Sequence, residues 1–302
     1  MTTLQAGKLS VAILGSGNIG TDLLLKTLRS SLLHCTLFIG RNLESNGMRK
    51  ARSLGVTVSD RSIDAIVDQP DACDLVFDAT SAKDHAIHWP ILKKLGKFVI
   101  DMTPSKVGHM CVPALGDFGH GHHANISMVS CGGQAVIPLA VALRSVHSDI
   151  EYIEVVSSIA SKSAGPATRS NLDQYIETTE EALKHFSGCA RAKAILNLNP
   201  AEPPIDMQTT LFATVAHPDL KKLRPAIDAA ITKIQSYVPG FELVVPPSLQ
   251  DGRITIMVKV RGRGDYLPTF AGNLDIVNCA AISVAEEYAK TFLSPHATHS
   301  HQ

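Results

Sequence analysis

The hydrophobic pattern of the first 130 residues alternates short apolar runs with longer segments of helical spacing. The apolar runs, rich in β-branched residues, predict strands at residues 9–14, 36–39, 75–79, 98–102 and 126–129. Between most of these runs, apolar residues recur every three or four positions, which predicts helices at residues 18–30, 46–54 and 85–95. Strands that alternate with helices in this way predict a doubly wound α/β domain built on a parallel sheet.

Beyond residue 149 the pattern changes to separate strands with long helices between them. Apolar or alternating runs predict strands at residues 152–159, 209–215 and 253–260. Helical spacing predicts long helices at residues 171–186, 220–238 and 272–290. This arrangement is typical of an α+β domain, so the second half of the chain is expected to fold as one.

A glycine motif joins the first predicted strand to the first predicted helix. Residues 15–20 have the sequence Gly-Ser-Gly-Asn-Ile-Gly. In this setting Gly15 allows the tight turn, Gly17 lets the backbone approach a pyrophosphate, and Gly20 lets helix and strand pack closely. The alternative is a tight turn that binds no ligand. The motif predicts that the first domain is a Rossmann-type domain that binds a dinucleotide.

These patterns divide the chain into three parts. Residues 1–131 are expected to form the dinucleotide-binding domain, and residues 132–272 a second domain that holds the substrate. Residues 273–302 are expected to form a closing helix that returns to the first domain and ends in a disordered tail, because the last nine residues are polar.

The composition excludes several classes of protein. Of the 302 residues, 45% are hydrophobic, and 28 basic residues balance 28 acidic ones, which argues against binding to nucleic acid or to an anionic membrane. No apolar stretch reaches the roughly 20 residues of a membrane span, and residues 1–9 lack a secretory signal pattern. The six cysteines lack C-x-x-C spacing, which argues against a disulfide scaffold and predicts a reducing, cytoplasmic location.

The residue that follows the second strand bears on the choice of cofactor. An acidic residue at this place usually holds the ribose 2′-hydroxyl of NAD. This chain has Arg41 followed by Asn42 instead. An arginine here can bind a 2′-phosphate, so two interpretations stay open: a contact to NADP, or a solvated arginine on a loop. The expected cofactor is NAD, with NADP possible.

Cys131 is the most informative residue for chemistry. Residues 130–134 have the sequence Ser-Cys-Gly-Gly-Gln and precede a predicted helix at residues 133–146. A helix N-terminus lowers the pKa of a thiol, and the thiolate is the nucleophile. Gly132 and Gly133 leave room for a carbonyl group and offer N–H groups to an oxyanion. An acylatable cysteine and a nicotinamide together indicate oxidation of an aldehyde through a thioester. The alternative is an inert, buried cysteine.

Three other polar segments are candidates, each with an ordinary alternative. Residues 161–169 suit a loop that lies close to a ligand, or a plain loop in which Thr168 or Ser170 caps the next helix. Asp206 follows two prolines and could be a base or a turn residue. The His-Gly-His-His segment at residues 120–123 is more typical of a surface loop than of a zinc site, because no matched Cys/His pair accompanies it. No metal is therefore expected.

Six segments together resemble the acylating acetaldehyde dehydrogenases of aromatic and steroid catabolism. They are residues 13–22 (ILGSGNIGTD), 76–82 (VFDATSA), 128–138 (MVSCGGQAVIP), 158–169 (SIASKSAGPATR), 199–204 (NPAEPP) and 266–276 (YLPTFAGNLDI). The segments follow the family's order and extend over nearly the whole chain. The resemblance implies that a short aliphatic aldehyde, acetaldehyde or propanal, is oxidised to acyl-CoA with NAD and coenzyme A.

The resemblance also assigns roles to individual residues. Cys131 corresponds to the acyl-thioester nucleophile, and Asn273 to a cofactor contact from the closing helix. The implied NAD site comprises Gly15, Ser16, Gly17, Asn18, Ile19, Ser161, Lys162, Ser163, Ala164, Gly165, Pro166, Ala167, Thr168 and Arg169. The resemblance further implies that the second domain also serves dimerisation, that the protein is a homodimer, and that a 4-hydroxy-2-oxoacid aldolase is its partner.

Three places depart from the family pattern. Arg41-Asn42 replaces the usual Ile-Asp, and the segment between residues 241 and 261 is shorter than in many relatives. Thr209 stands where the family usually has an aspartate that is proposed to activate the cysteine or CoA. The nearest carboxylate is Asp206, which is therefore the expected base.

Two alternative functions remain open from the sequence. One is a related semialdehyde dehydrogenase with another acyl acceptor, which should carry an arginine pair for a phosphate or carboxylate. The other is a non-catalytic subunit that binds nucleotide and scaffolds an aldolase.

Overall fold

The computed structural model describes residues 7–116, 118, 124–165, 168–169 and 171–293. The chain divides into two compact units. The first is formed within residues 1–111, 117–128 and 281–302, and the second within residues 112–116 and 129–280. Within the described part of the chain, no helix combines the length and the apolarity needed to span a membrane.

The first unit contains a seven-stranded sheet. Its strands are β1 (Leu9–Leu14), β2 (Leu33–Ile39), β3 (Val58–Ser59), β4 (Leu75–Asp78), β5 (Phe98–Asp101), β6 (His109–Cys111) and β7 (Asn125–Met128). The strand order is β3-β2-β1-β4-β5-β7-β6, and every pairing is parallel. Strands β1, β4 and β5 are buried along their whole length, as continuous apolar strands of a parallel sheet are. The predicted Rossmann-type sheet is confirmed.

Helices connect these strands as the periodicity predicts. They are α1 (Asn18–Arg29), α2 (Asn46–Ser53), α3 (Asp64–Val67) and α4 (Ala82–Lys94). The predicted start of α4 at residue 85 is three residues late, because the Ser81 side chain accepts the backbone N–H of Asp84 and caps the helix there.

The second unit contains a five-stranded sheet and three helices. The strands are β8 (Ile150–Ala160), β9 (Arg191–Asn199), β10 (Met207–Val215), β11 (Phe241–Gln250) and β12 (Arg253–Val260). The helices are α5 (Cys131–Val146), α6 (Leu172–Ser187) and α7 (Leu220–Gln235). The strand order is β11-β12-β10-β8-β9, with β8 and β9 parallel and the other pairs antiparallel. The expected second domain of the α+β class is confirmed, and its sheet is mixed.

The sequence pattern did not reveal β9 and β11, the two edge strands of this sheet. Of the nine residues of β9, only Ala194 is buried, so the strand lacks a clear apolar alternation. Strand β11 contains Pro246 and Pro247, residues that break a strand pattern but are tolerated at a sheet edge, where their missing N–H faces no partner strand.

One face of the second sheet carries the core of its unit. Along β10, every second residue from Met207 to Val215 is buried, and the residues between them are half-exposed. Helix α5 contacts β8 and β10, helix α6 contacts β9, and helix α7 contacts β11. The half-exposed side chains, such as Thr210 and Phe212, therefore form the opposite face of the sheet.

The last helix, α8 (Gly272–Phe292), contributes its C-terminal half to the first unit. The ring of Tyr288 stacks on that of Phe98 at the start of β5, with 3.9 Å between the ring centroids. Glu286 accepts a hydrogen bond of 2.6 Å from the Ser30 hydroxyl. Residues 294–302, the expected tail, lie outside the described residues.

A buried group of charged side chains joins α4 to the carboxyl ends of β4 and β5. Asp78 accepts hydrogen bonds from Nδ1 of His85 (2.9 Å) and Nδ1 of His88 (3.0 Å). Nε2 of His85 lies 3.5 Å from a carboxylate oxygen of Asp101. Burial by itself would raise the pKa of Asp78, but the hydrogen bonds hold this pKa at about 2. Burial by itself would lower the pKa of His85, but the bond to Asp78 and the charge of Asp101 raise it.

We expect Asp78→Asn to lower the free energy of unfolding by about 3 kcal/mol, because it removes the buried carboxylate that accepts hydrogen bonds from two buried imidazoles. Urea unfolding measures the change, and Asp60→Asn, at an exposed aspartate, is the control, expected within about 0.5 kcal/mol of the parent. Asp78 stays ionised to low pH and His85 keeps its proton above its usual pKa. The loss should therefore be greatest between about pH 4 and about pH 6.5 and should shrink as the pH rises through the pKa of His85. Equal effects of the two substitutions would contradict this account.

Candidate active site

Cys131 is the first residue of helix α5, so its thiol lies at the helix N-terminus. Ser130 caps the helix, because its Oγ accepts the backbone N–H of Gly133 at 3.0 Å. The helix thus begins two residues earlier than the periodicity predicts. The expected role of the Gly133 N–H in binding an oxyanion is wrong, because this donor is already engaged in the cap.

Gly132 lies next to two hydroxyl groups that leave little room for a side chain. A Cβ atom at this position would clash with the hydroxyl oxygen of Tyr175 and would lie 2.8 Å from Oγ of Ser157. Tyr175 belongs to α6 and Ser157 to β8. The absence of a side chain at residue 132 therefore lets two hydroxyl groups approach the end of the helix next to Cys131.

These hydroxyls form a chain that begins at the thiol. The Cys131 S–H group donates to the hydroxyl oxygen of Tyr175 across 3.9 Å. The Tyr175 hydroxyl also makes a hydrogen bond with Ser157. Oγ of Ser157 lies 3.1 Å from Oγ1 of Thr209, which is the residue directly opposite it on β10. Ser157 and Thr209 are both buried. The structure thus aligns four neutral groups, Cys131, Tyr175, Ser157 and Thr209.

A second contact fixes α6 against the start of α5. Thr179 lies one turn after Tyr175, and its hydroxyl donates to the backbone carbonyl of Tyr175 at 2.6 Å. The same hydroxyl oxygen lies 2.5 Å from Oγ of Ser130, the residue that caps α5. Because Thr179 uses its proton on the carbonyl, Ser130 is the donor in this second bond. The cap and the tyrosine are therefore held by one hydrogen-bond network.

The electrostatics of the thiol differ from the sequence-based expectation. Burial raises the pKa of Cys131 to about 11, and this effect outweighs the lowering by the Tyr175 hydroxyl and by the N–H groups of Gly132 and Cys131. The N–H groups at the helix N-terminus lower the pKa as expected, but burial, which the sequence did not reveal, outweighs them. Burial and the neighbouring Cys131 also raise the pKa of Tyr175 well above its ordinary value.

Asp206 lies on the loop directly before β10 and is half-buried, as the base hypothesis requires. Its side chain makes no hydrogen bond to Cys131 among the residues that the structure describes. Its role as a base stays a prediction.

The candidate loop at residues 161–169 is closed by Arg169. The guanidinium donates to the backbone carbonyls of Ala164 and Ser161, both at 3.0 Å, and to the Ser161 hydroxyl at 2.9 Å. Lys162 forms an exposed ion pair with Glu202 at 2.5 Å. Arg169 therefore shapes the loop and is not held ready for an anionic acyl acceptor. The N-cap position of α6 is Asn171, not Thr168, and the Asn171 side chain makes no capping hydrogen bond. Pro166, Ala167 and Ser170 lie outside the described residues, as do residues 120–123.

The glycine motif of the first unit fits a pyrophosphate. Gly15 has a φ of +116°, and a Cβ atom there would clash with the carbonyl of Ala79. A Cβ atom on Gly20 would clash with the carbonyl of Gly15. By contrast, a Cβ atom on Gly17, the exposed N-cap of α1, would meet no described atom within 4 Å. The first and third glycines are thus required by the fold, and the second leaves open space at a helix N-terminus, where a phosphate group can bind.

Further predicted cofactor residues lie near this motif or on the other unit. Ser16 lies in the turn, and Asn18 and Ile19 begin α1. Arg41 is exposed and follows Gly40, where a Cβ atom would clash with the side chain of Ser16. Asn273 lies in the first turn of α8, in the part of that helix that belongs to the second unit.

Sequence reasoning missed Tyr175 and Ser157 as site residues and noted Thr209 only as a departure from a pattern. A signal was present: Ser157 and Thr209 occupy inward positions of strands whose other inward residues are almost all apolar. A buried hydroxyl needs a partner, so inward hydroxyls near Cys131 could have indicated the network.

Comparisons with known proteins identify the family of this chain. Residues 131–268 match the family model described as "Prokaryotic acetaldehyde dehydrogenase, dimerisation". The acetaldehyde dehydrogenase of Spirochaeta aurantia is 61% identical over 95% of this chain and 97% of its own length. That of Pectobacterium atrosepticum is 58% identical over 95% of this chain and 97% of its own length.

Solved structures with a similar fold include two aspartate semialdehyde dehydrogenases. Enzyme II of Vibrio cholerae has a TM-score of 0.62 at 13% identity, with 94% of this chain and 98% of that chain covered. The Candida albicans enzyme, solved with NADP, has a TM-score of 0.63 at 10% identity, with 92% and 99% covered. At these identities the likeness concerns the fold alone. The extended identity to the curated relatives confirms the resemblance seen in the motifs: the chain belongs to the acetaldehyde dehydrogenase family and is an oxidoreductase.

Proposed function

We propose that this protein oxidises acetaldehyde or propanal to the corresponding acyl-CoA, with Cys131 as the nucleophile. The observation that carries the proposal is the position of the Cys131 thiol, on the first turn of α5 and in contact with a hydroxyl group. The sulfur adds to the aldehyde carbonyl and gives a thiohemiacetal. Loss of a hydride and a proton from this adduct leaves a thioester on Cys131. The thiol of coenzyme A then takes the acyl group by exchange and releases Cys131.

The proposed hydride acceptor is NAD, with NADP possible. A bound nicotinamide would supply the oxidising power for the thiohemiacetal. Residues Gly15 to Ile19 would hold the pyrophosphate at the N-terminus of α1, where Gly17 leaves the backbone accessible. Arg41 would lie beside the ribose, and Asn273 and the loop at residues 161–169 would contribute the remaining contacts.

We propose that the protein is a homodimer. The matched family model is named for dimerisation and coincides with the unit whose sheet has a half-exposed face on β10. A sheet face of this kind can be covered by a second copy. A 4-hydroxy-2-oxoacid aldolase partner and a cytoplasmic location are further proposals, which rest on the family resemblance and on the cysteine usage.

Two alternative functions are less well supported. A semialdehyde dehydrogenase that uses another acyl acceptor needs arginines available for an anion, whereas Arg169 is engaged by its own loop. A scaffolding subunit without activity would not need a cysteine at a helix N-terminus with a hydroxyl beside it. Product analysis with CoA, phosphate or water as the acceptor separates the first alternative from the proposal, and any turnover excludes the second.

We expect Cys131→Ser to reduce CoA-dependent aldehyde oxidation by about 10⁴-fold or more, because a serine hydroxyl is a far poorer nucleophile than a thiolate. Binding of the dinucleotide, measured by calorimetry, should change little. The matched control is Cys189→Ser, at another free cysteine of the second unit, which should retain turnover. Turnover near that of the parent in Cys131→Ser would reject the mechanism.

We expect Arg41→Ala to lower kcat/KM for NADP by about tenfold or more and to change kcat/KM for NAD little. The reason is that a charge-assisted bond to the 2′-phosphate contributes about 1.5–3 kcal/mol. Steady-state kinetics with both cofactors tests this. Arg52→Ala, which removes an exposed arginine that lies 3.9 Å from Glu44, is the control. Equal losses with both cofactors would mean that Arg41 does not contact the 2′-phosphate.

If Asp206 accepts the thiol proton, directly or through one water, Asp206→Asn should lower kcat about 10²-fold, as loss of a general base does. Asp251→Asn, at an exposed turn of the same unit, should leave kcat unchanged. An unchanged kcat in Asp206→Asn would remove this carboxylate from the mechanism.

A further inference from the structure

We infer that the hydroxyl of Tyr175 is a catalytic group that donates a hydrogen bond to the Cys131 thiolate, and that Ser157 and Thr209 position it. The inference rests on the proposed function of Cys131 as the nucleophile. It follows from the row of contacts that leads from the Cys131 sulfur through the Tyr175 and Ser157 hydroxyls to Thr209.

Packing alone does not explain a tyrosine at this position. A phenylalanine ring would fill the same space without burying a polar atom, and a buried hydroxyl is costly unless it is hydrogen-bonded. The Tyr175 hydroxyl has three polar neighbours: the Cys131 thiol, the Ser157 hydroxyl and the backbone N–H of Gly132. In its present position the same hydroxyl would clash with a Cβ atom at residue 132. The position of this oxygen therefore favours glycine at residue 132 of α5.

The chain of hydroxyls can reverse its direction when the thiol ionises. In the resting protein the Cys131 S–H group donates to Tyr175. A thiolate can only accept, so the Tyr175 O–H group turns to the sulfur and its oxygen then accepts from Ser157. Thr209 can donate to Ser157 in the same way, because either oxygen of that pair can be the donor. Only hydroxyl rotations are needed, and the thiol proton itself leaves for solvent or for the base.

Neutral donors beside the sulfur can stabilise the thiolate, whereas Asp206, which makes no hydrogen bond to Cys131 among the described residues, has the separate proposed role of taking the proton. A negative charge next to the sulfur would raise the pKa of the thiol further, whereas a hydroxyl donor lowers it. The groups that act on the thiol are the Tyr175 hydroxyl and the backbone N–H groups of Gly132 and Cys131, all of them uncharged donors toward a thiolate. Thr209 on β10 is the last hydroxyl of the row, and it is buried and uncharged as well.

Alkylation of Cys131 by iodoacetamide tests the inference in the full-length protein without aldehyde, cofactor or CoA. The rate at a fixed pH below the thiol pKa is proportional to the thiolate fraction. Tyr175→Phe keeps the ring and removes the donor, so we expect alkylation of Cys131 between pH 7 and pH 9 to slow about 10- to 100-fold. Peptide mass spectrometry separates Cys131 from the five other cysteines, which are buried.

Ionisation is followed independently by the ultraviolet absorbance of the thiolate, as the difference between each protein and its Cys131→Ser counterpart. In Tyr175→Phe this titration should move to higher pH, a shift that a merely structural loss of packing would not produce. Tyr152→Phe is the matched control, because it removes a tyrosine hydroxyl that bonds Glu154 instead, and it should leave the titration unchanged.

Substitutions at Ser157 and Thr209, the hydroxyls farther from the sulfur, provide a graded test. Ser157→Ala should slow alkylation less than Tyr175→Phe does, Thr209→Val less again, and Thr209→Ser, which keeps the hydroxyl, should behave as the parent. An unchanged thiol titration in Tyr175→Phe would overturn the inference. Because the measurements need no turnover, they can fail while Cys131→Ser still abolishes activity, and they can succeed if the protein proves to use another acyl acceptor.

Discussion

The close approach between the start of α5 and two hydroxyl groups is the constraint on which the rest of this site depends. Gly132 has no side chain, so Tyr175 from α6 and Ser157 from β8 can lie directly beside the residue that follows Cys131. A Cβ atom at residue 132 would force the hydroxyl groups of Tyr175 and Ser157 to move. Because Ser130 caps α5 and also bonds Thr179 of α6, the two helices are fixed relative to each other at the same point. The position of the thiol thus follows from packing between a helix end, a second helix and a strand.

The same packing sets the protonation state of the Cys131 thiol, the proposed nucleophile. Enclosure by protein disfavours the thiolate and raises the pKa of Cys131 to about 11, although a helix N-terminus and a hydroxyl act in the opposite direction. At neutral pH the resting thiol is therefore protonated, and a protonated thiol is slow to oxidise. The Tyr175 hydroxyl and the two N–H groups stabilise the anion once it forms.

The sequence predicted the frame of the molecule well and the polar details of the site poorly. The central strands of the first unit are largely apolar runs, and the glycine motif is a local pattern, with a positive φ at Gly15 and a close contact between Gly20 and the carbonyl of Gly15, so both were visible. The edge strands β9 and β11 were not, because half-exposed, proline-containing strands lack a simple alternation. The net pKa of Cys131 and the role of Tyr175 depend on groups 44 residues apart along the chain. Such long-range contacts arise from tertiary packing, which no local pattern of a single sequence records.

The central claim is that Cys131 carries the acyl group, and trapping that intermediate tests it most directly. The parent protein would be incubated with acetaldehyde and oxidised nicotinamide cofactor without coenzyme A, quenched in acid, and analysed by peptide mass spectrometry. The account predicts an acetyl group on the peptide that contains Cys131, its disappearance when coenzyme A is added before the quench, and the simultaneous formation of acetyl-CoA. Turnover to acetyl-CoA without any acetylation of Cys131, or acetylation of a different residue that coenzyme A removes, would contradict the account.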